Sequence, residues 1–219
     1  MQLRAVFFDL DGTLVDSLGD IADAMNHALV RHGLPAHPEP AYRRFVGEGV
    51  RELARRAVPA GREELAGLVL ETYRAYYEEH LFDRTAAYPG ILGMLSALAG
   101  QGVVMGVLSN KSDGFVKQLV ERLLPGVPFR VVYGERQGVP RKPDPTAVLG
   151  MAAELNVEPL TCGFVGDTAV DMLTARAAGM YGVGVTWGFR DAEELHSHGA
   201  RVVATTADEL LTALRTARI

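Results

Sequence analysis

The sequence predicts an α/β protein on three observations. Short unbroken apolar runs recur along the chain, each ending in a polar or glycine-bearing turn. Helical patterns separate most of them. One long stretch, from Ser17 to about Thr85, carries no strand pattern at all. Unbroken rather than alternating runs mark strands covered on both faces, the habit of a parallel sheet. Strand–helix alternation then gives a Rossmann-like three-layer α/β sandwich, whose ligands gather at the C-terminal ends of the strands. The strandless stretch reads as a helical cap domain, residues 16–85, inserted after the first strand. The core is then discontinuous, residues 1–15 and 86–219.

The first run, AVFF, leads into Asp9. In the segment that follows, Ser17 with Asp20 resembles a capping box, and Ile21, Ala24, Met25, Ala28 and Leu29 share one helical face. GLPAHPEP is a turn-rich break, after which helical patterns cover Val50 to Ala57 and about Arg62 to Glu79. Ile91 to Gly100 reads as a helix closed by glycine. VVMGVL is a strand leading to Ser109, and Asp113 to Leu124 a helix stopped by Pro125. FRVVY into Gly134, CGFV into Gly166 and GVGVT into Trp187 complete the strand set. Helices over Pro145–Leu155 and Asp171–Ala178 lie between them.

With 219 residues, 48% of them hydrophobic, the chain can bury a sizeable core. A formal net charge of −5 gives no basic footprint for nucleic acid. A single cysteine, Cys162, cannot form an internal disulfide and reads as a small buried hydrophobe. No secretory leader and no membrane-length apolar run stands out. The expectation is a cytoplasmic protein, monomer or homodimer, that acts on a small molecule without nucleic acid or membrane.

Each strand end carries a distinct polar group. Asp9 and Asp11 follow the first strand, Ser109 and Asn110 the second, and Asp167 a later one, with Asp171 close behind. Lys142, in PRKPDP, precedes a helix. In a parallel sheet these groups converge on one edge. Carboxylates without thiols or clustered imidazoles form a hard oxygen site, which favours Mg²⁺ shared with a substrate phosphate. With a cation and Lys142 present, Asp9 is able to approach an anionic phosphorus as a nucleophile. Asp11 would then serve as general acid and base. Gly12, Thr13, Ser109 and neighbouring N–H groups would hold the nonbridging oxygens.

DLDGT, the strand ending in SN, the lysine before PDP, and GDTAVD, in that order, resemble the four motifs of the haloacid dehalogenase superfamily of phosphohydrolases. Further segments (FVGEGVRELARRA, AYPG, LSNK, VTWGF) are similar to phosphoglycolate phosphatases within it. The resemblance implies Asp9 as nucleophile, Asp11 as acid/base, and Ser109 and Lys142 on the phosphoryl group. It implies Mg²⁺ held by the Asp9 and Asp167 carboxylates and the Asp11 backbone carbonyl, with Asp171 acting through water or by orienting Lys142. An aspartate at position 11 argues against dehalogenation, since the dehalogenases lack it. The alternatives are a phosphatase for another sugar or acid phosphate, a pyrophosphatase, a phosphomutase, or a non-catalytic phosphate-binding regulator. The last has no need to keep both aspartates.

Other features weigh less. Asp-Gly at 11–12 alone resembles a hairpin turn, and the spacing to Asp20 does not complete a calcium loop. Gly47-Glu48-Gly49 opens a helix, so Gly49 with Arg51 is a candidate grip for a substrate carboxylate. Tyr73, Tyr76 and Tyr77 read as helix packing, and His196 and His198 as surface loop.

Overall fold

The computed structural model describes residues 3–218. Met1 and Gln2, where the segment read as leaderless begins, and Ile219 lie outside it. Strand β1 (Ala5–Phe8) is buried along its whole length. Its side chains alternate between two apolar clusters, Val6 and Phe8 in one, Ala5 and Phe7 in the other. This two-faced burial is what an unbroken apolar run produces in a covered sheet. A short β2 (Val15–Asp16) follows, then helices α1 (Leu18–Arg31), α2 (Glu39–Phe45), α3 (Val50–Ala57) and α4 (Ala66–Glu79). Strand β3 (Ala86–Ala87) returns antiparallel to β2, so the chain leaves and re-enters the helical segment through one two-stranded ribbon.

The remainder alternates: α5 (Ile91–Ala99), β4 (Val104–Ser112), α6 (Asp113–Leu123), β5 (Phe129–Glu135), α7 (Thr146–Glu154), β6 (Cys162–Gly166), α8 (Ala169–Ala177), β7 (Tyr181–Val185), α9 (Ala192–Ser197), β8 (Val202–Ala204) and α10 (Ala207–Thr216). The six long-range strands lie in the order β5-β4-β1-β6-β7-β8, and every pairing among them is parallel. β1 is therefore central, and Asp9 leaves the middle of the sheet. Among the described residues no helix is long and apolar enough to cross a membrane.

The apolar face read for α1 is buried as a set, with Leu29 and Met25 fully enclosed. Truncating such a leucine to alanine costs about 2–5 kcal/mol. The capping box is not formed. Ser17 precedes α1 but caps nothing with its side chain, and its Oγ donates to Asp11 instead. Asp20 turns across the ribbon and accepts from the N–H groups of Arg84 and Thr85 and the Thr85 hydroxyl. Helix α2 and strand β8 have no counterpart in the sequence reading. Pro38 and Pro40 open α2 at positions where proline is tolerated, and a proline-rich run hides that start. His196 lies in α9 rather than in a loop, and His198 ends that helix.

Candidate active site

The β1 ladder carries one residue past the strand. Asp9 N–H donates to Val165 O at 2.9 Å, which fixes where the Asp9 side chain begins. Oδ1 of Asp9 accepts the Leu10 N–H at 2.7 Å and lies 2.9 Å from Lys142 Nζ. Among the described residues nothing donates to Oδ2. Lys142 Nζ also donates to Asp171 Oδ1 at 2.7 Å. The other Asp171 oxygen accepts from the Thr168 N–H and hydroxyl at 3.0 and 2.7 Å, closing a capping box at the start of α8. Thr168 is thus the helix cap.

Asp167 is fully buried and receives one donor on each oxygen, the Thr13 hydroxyl at 3.0 Å and the Phe189 N–H at 2.8 Å. Glycine is obligatory beside it. A Cβ on Gly12, whose φ is +81°, or on Gly188 would collide with the Asp167 carboxylate. A Cβ on Gly166 would strike Asp171 in the same way.

One oxygen from each of Asp9, Asp167 and Asp171 lies within 4.8 Å of the others. Three buried carboxylates face a single buried ammonium, and that excess of negative charge shows in their acidity. Burial pushes the Asp9 carboxyl up to about 7 despite the pull of Lys142, with the Asp171 charge adding to the rise. Burial, then the Asp171 and Asp9 charges, hold Asp167 well above the usual carboxylate range. Burial works to lower Lys142, but Asp171 and Asp9 together outweigh it and hold the ammonium above its ordinary value. Oxygen donors, surplus negative charge and glycine-cleared space fit a hard divalent cation. Asp171, which takes three protein donors where Asp167 takes two, is the least free of the three to ligate directly.

Asp11 lies apart from this triad. Its Oδ1 accepts from Ser17 Oγ at 2.6 Å, and both of its oxygens face Lys111 Nζ, at 2.9 and 3.2 Å. Lys111, the last residue of the LSNK segment, has no role assigned from the sequence. The β4–β5 register breaks between Leu108 and Ser112, and such an irregularity re-aims side chains at a strand end.

A cavity of about 60 Å³ opens above Asp9 and Asp11, bordered by Ser109, Lys111, Gly47 and Gly49. Ser109 Oγ accepts the Lys111 N–H at 3.3 Å and keeps its own proton to donate. Several expected phosphate contacts are otherwise engaged. Gly12 N–H donates to Val15 O and Thr13 N–H to Leu10 O, closing the turn after β1. The Asn110 amide donates to Gly47 O and Lys142 O and accepts the Lys142 N–H, so it ties three segments together. Arg51 is exposed and does not border the cavity; its position on α3 points the carboxylate grip elsewhere. Tyr73 and Tyr77 pack against each other, rings 5.2 Å apart, yet both also border the cavity. Tyr76 stacks between His27 and His80.

The helical segment is docked on the sheet edge. Arg43 donates to Gly188 O, Arg190 donates to Arg43 O and to Val46 O, and Arg141 donates to Glu48 O at 3.1 Å. Trp187 Nε1 donates to Thr13 O at 3.0 Å and braces the Asp9 turn from the other side.

Comparison with known proteins gives a consistent picture. The sequence profile of the family described as Haloacid dehalogenase-like hydrolase matches residues 6–185. A phosphoglycolate phosphatase from Pseudomonas putida is 36% identical over 215 residues, covering 95% of this chain and 78% of the relative. One from Rhodospirillum rubrum is 38% identical over 208 residues, covering 91% of this chain and 86% of the relative. A crystal structure of a candidate phosphoglycolate phosphatase from Lactobacillus delbrueckii subsp. bulgaricus superposes with a TM-score of 0.93 at 32% identity. It covers 99% of this chain and 100% of that one.

Proposed function

The chain belongs to the haloacid dehalogenase-like hydrolase family, and on that footing we propose that it is a phosphomonoester hydrolase whose substrate is 2-phosphoglycolate. The proposal rests above all on the two faces of Asp9. One oxygen is held by the Leu10 N–H and the Lys142 ammonium, and the other takes no protein donor among the described residues, in a side chain that borders the cavity. A carboxylate fixed on one side and free on the other is positioned to attack. The curated phosphoglycolate phosphatases aligned along nearly all of the chain supply the substrate.

In this reading Asp9 Oδ2 attacks phosphorus and forms an aspartyl-phosphate while the alcohol leaves. Asp11 gives the leaving oxygen its proton and then takes one from the water that cleaves the acyl phosphate. Ser17 and Lys111 hold its carboxyl in place. Lys142 and the Ser109 hydroxyl receive nonbridging oxygens. Asp171 keeps Lys142 aimed at Asp9. Mg²⁺, carried by the Asp9 and Asp167 carboxylates and the Asp11 carbonyl, would offset the charge of the phosphoryl group and of the surrounding carboxylates. Residues 16–85 act as a cap that closes over the cavity and keeps bulk water from the site.

The test is kcat/KM over a panel of phosphoglycolate, sugar phosphates, nucleotides and pyrophosphate, each with Mg²⁺ and with excess chelator. Phosphoglycolate should rank first, and chelator should abolish turnover. A low rank for phosphoglycolate removes the substrate assignment. Undiminished activity in chelator removes the metal.

A further inference from the structure

Two polar residues that border the cavity, Lys111 and Tyr77, receive no oxygen of the transferred phosphoryl group in this reading. The Lys111 ammonium lies under the helical segment, 4.8 Å from the centroid of the Tyr77 ring, and its side chain is only 9% exposed. The Tyr77 hydroxyl is buried and has no hydrogen-bond partner among the described residues. A buried donor left unpaired is costly, so its retention calls for an acceptor from outside the chain.

We propose that Lys111 and Tyr77 form a subsite for an anionic oxygen group on the leaving alcohol, and so select phosphomonoesters bearing a carboxylate close to the ester oxygen. This rests on the phosphatase reading above and assigns the specificity of that site to named residues.

The charges support the division of labour. Lys142 is committed to Asp9 and Asp171 and serves the transferred group. Lys111 has Asp11 as its one anionic partner and faces the same cavity. Asn110, beside it, has spent its amide on backbone groups, and Arg74 borders the cavity only through an exposed side chain. Ile21, Val50, Leu53 and Phe115 supply apolar walls, which strengthen any charge contact made between them. Burial, then the Asp11 and Asp20 charges, raise the Tyr77 hydroxyl well above its usual value, so it remains a donor. The cavity is small, about 60 Å³, which favours a short hydroxy acid over a nucleoside.

The experiment compares kcat/KM for 2-phosphoglycolate and for ethyl phosphate, which lacks the carboxylate, in the wild type, Tyr77→Phe and Lys111→Met. The readout is the ratio of the two substrates, so a general loss through Asp11 cancels. The ratio should fall about tenfold in Tyr77→Phe and about a hundredfold in Lys111→Met. Lys111→Arg should restore part of it. Tyr77→Phe removes one oxygen and keeps the ring stack, so it remains informative even if Lys111→Met fails to fold. An unchanged ratio in Tyr77→Phe and in folded Lys111→Met overturns the subsite. A wild type without preference for phosphoglycolate also overturns it while leaving the phosphatase reading standing. Hydrolysis of neither ester ends both.

Discussion

Lys142 Nζ stands 2.9 Å from Oδ1 of Asp9, a pair so shielded that the lysine side chain is 1% exposed. On the proposed mechanism, the ammonium holds the aspartate by the oxygen that is not needed for attack.

Asp9→Asn should lower kcat by at least about 10³-fold, the scale seen when a nucleophile is removed, with an unchanged far-UV spectrum. Acid-quenched wild type should retain hydroxylamine-labile phosphate from labelled substrate, and the variant none. A variant keeping a substantial share of activity would sink the nucleophile assignment.

Asp11→Asn separates proton transfer from attack. Loss of a general acid typically costs about 10²–10⁴-fold, and it should be felt most where the leaving alcohol is basic. Turnover of an alkyl phosphate should therefore collapse, while formation of the phosphoenzyme from a nitrophenyl ester is spared. Equal losses on both esters would argue against Asp11 as the acid.

The raised carboxyls set a pH dependence of stability. Asp9, at about 7 in the folded chain, and Asp167, well above the usual range, bind protons that the unfolded chain releases at lower pH. Their contribution is fully present below the unfolded carboxylate value near 4 and is lost as pH rises through 7. The chelated protein should thus show a urea midpoint that falls from pH 5 to pH 8. Mg²⁺ held by these carboxylates would favour the ionised forms, so it should raise the midpoint more at pH 8 than at pH 5. A midpoint insensitive to Mg²⁺ at both values would contradict the metal site.

Arg190 reaches the carbonyls of Arg43 and Val46 at the end of α2 and also lies 3.3 Å from Glu194. Arg190→Ala should speed amide exchange in α2 and raise KM by about three- to tenfold, since closure would be less favoured. Exchange in β1 and β6 should not change. If α2 exchanges as in the wild type, Arg190 does not latch the segment.

How much of this was legible in the sequence follows from what strands do. Asp9, Asp11 and Asp167 were readable because an apolar run announces where a parallel strand stops, and the next polar side chain falls on the ligand edge; Lys142, in a loop ahead of a helix, was readable only because those carboxylates call for a cation. Asn110 occupies such a position too, but its amide faces the backbone of Gly47 and Lys142, and no one-dimensional pattern reports that direction. Lys111 was hidden because its partner Asp11 is 100 residues away in the chain and the register break that aims it is a property of the β4–β5 pair. Ser17 and Asp20 matched a local rule that tertiary contacts overrode, since Asp11 and the Arg84–Thr85 backbone offered stronger partners. Arg51 lies two residues beyond a glycine loop that does border the cavity, and α3 turns it to solvent.

Asp171 divides its carboxylate between two tasks, one oxygen fastening the first turn of α8 and the other holding Lys142. Fraying of that turn and release of the ammonium are therefore one event rather than two. An unwound helix start with Lys142 still in place would need the same side chain in two positions. The precision with which the cation meets Asp9 is inherited from the rigidity of a helix end.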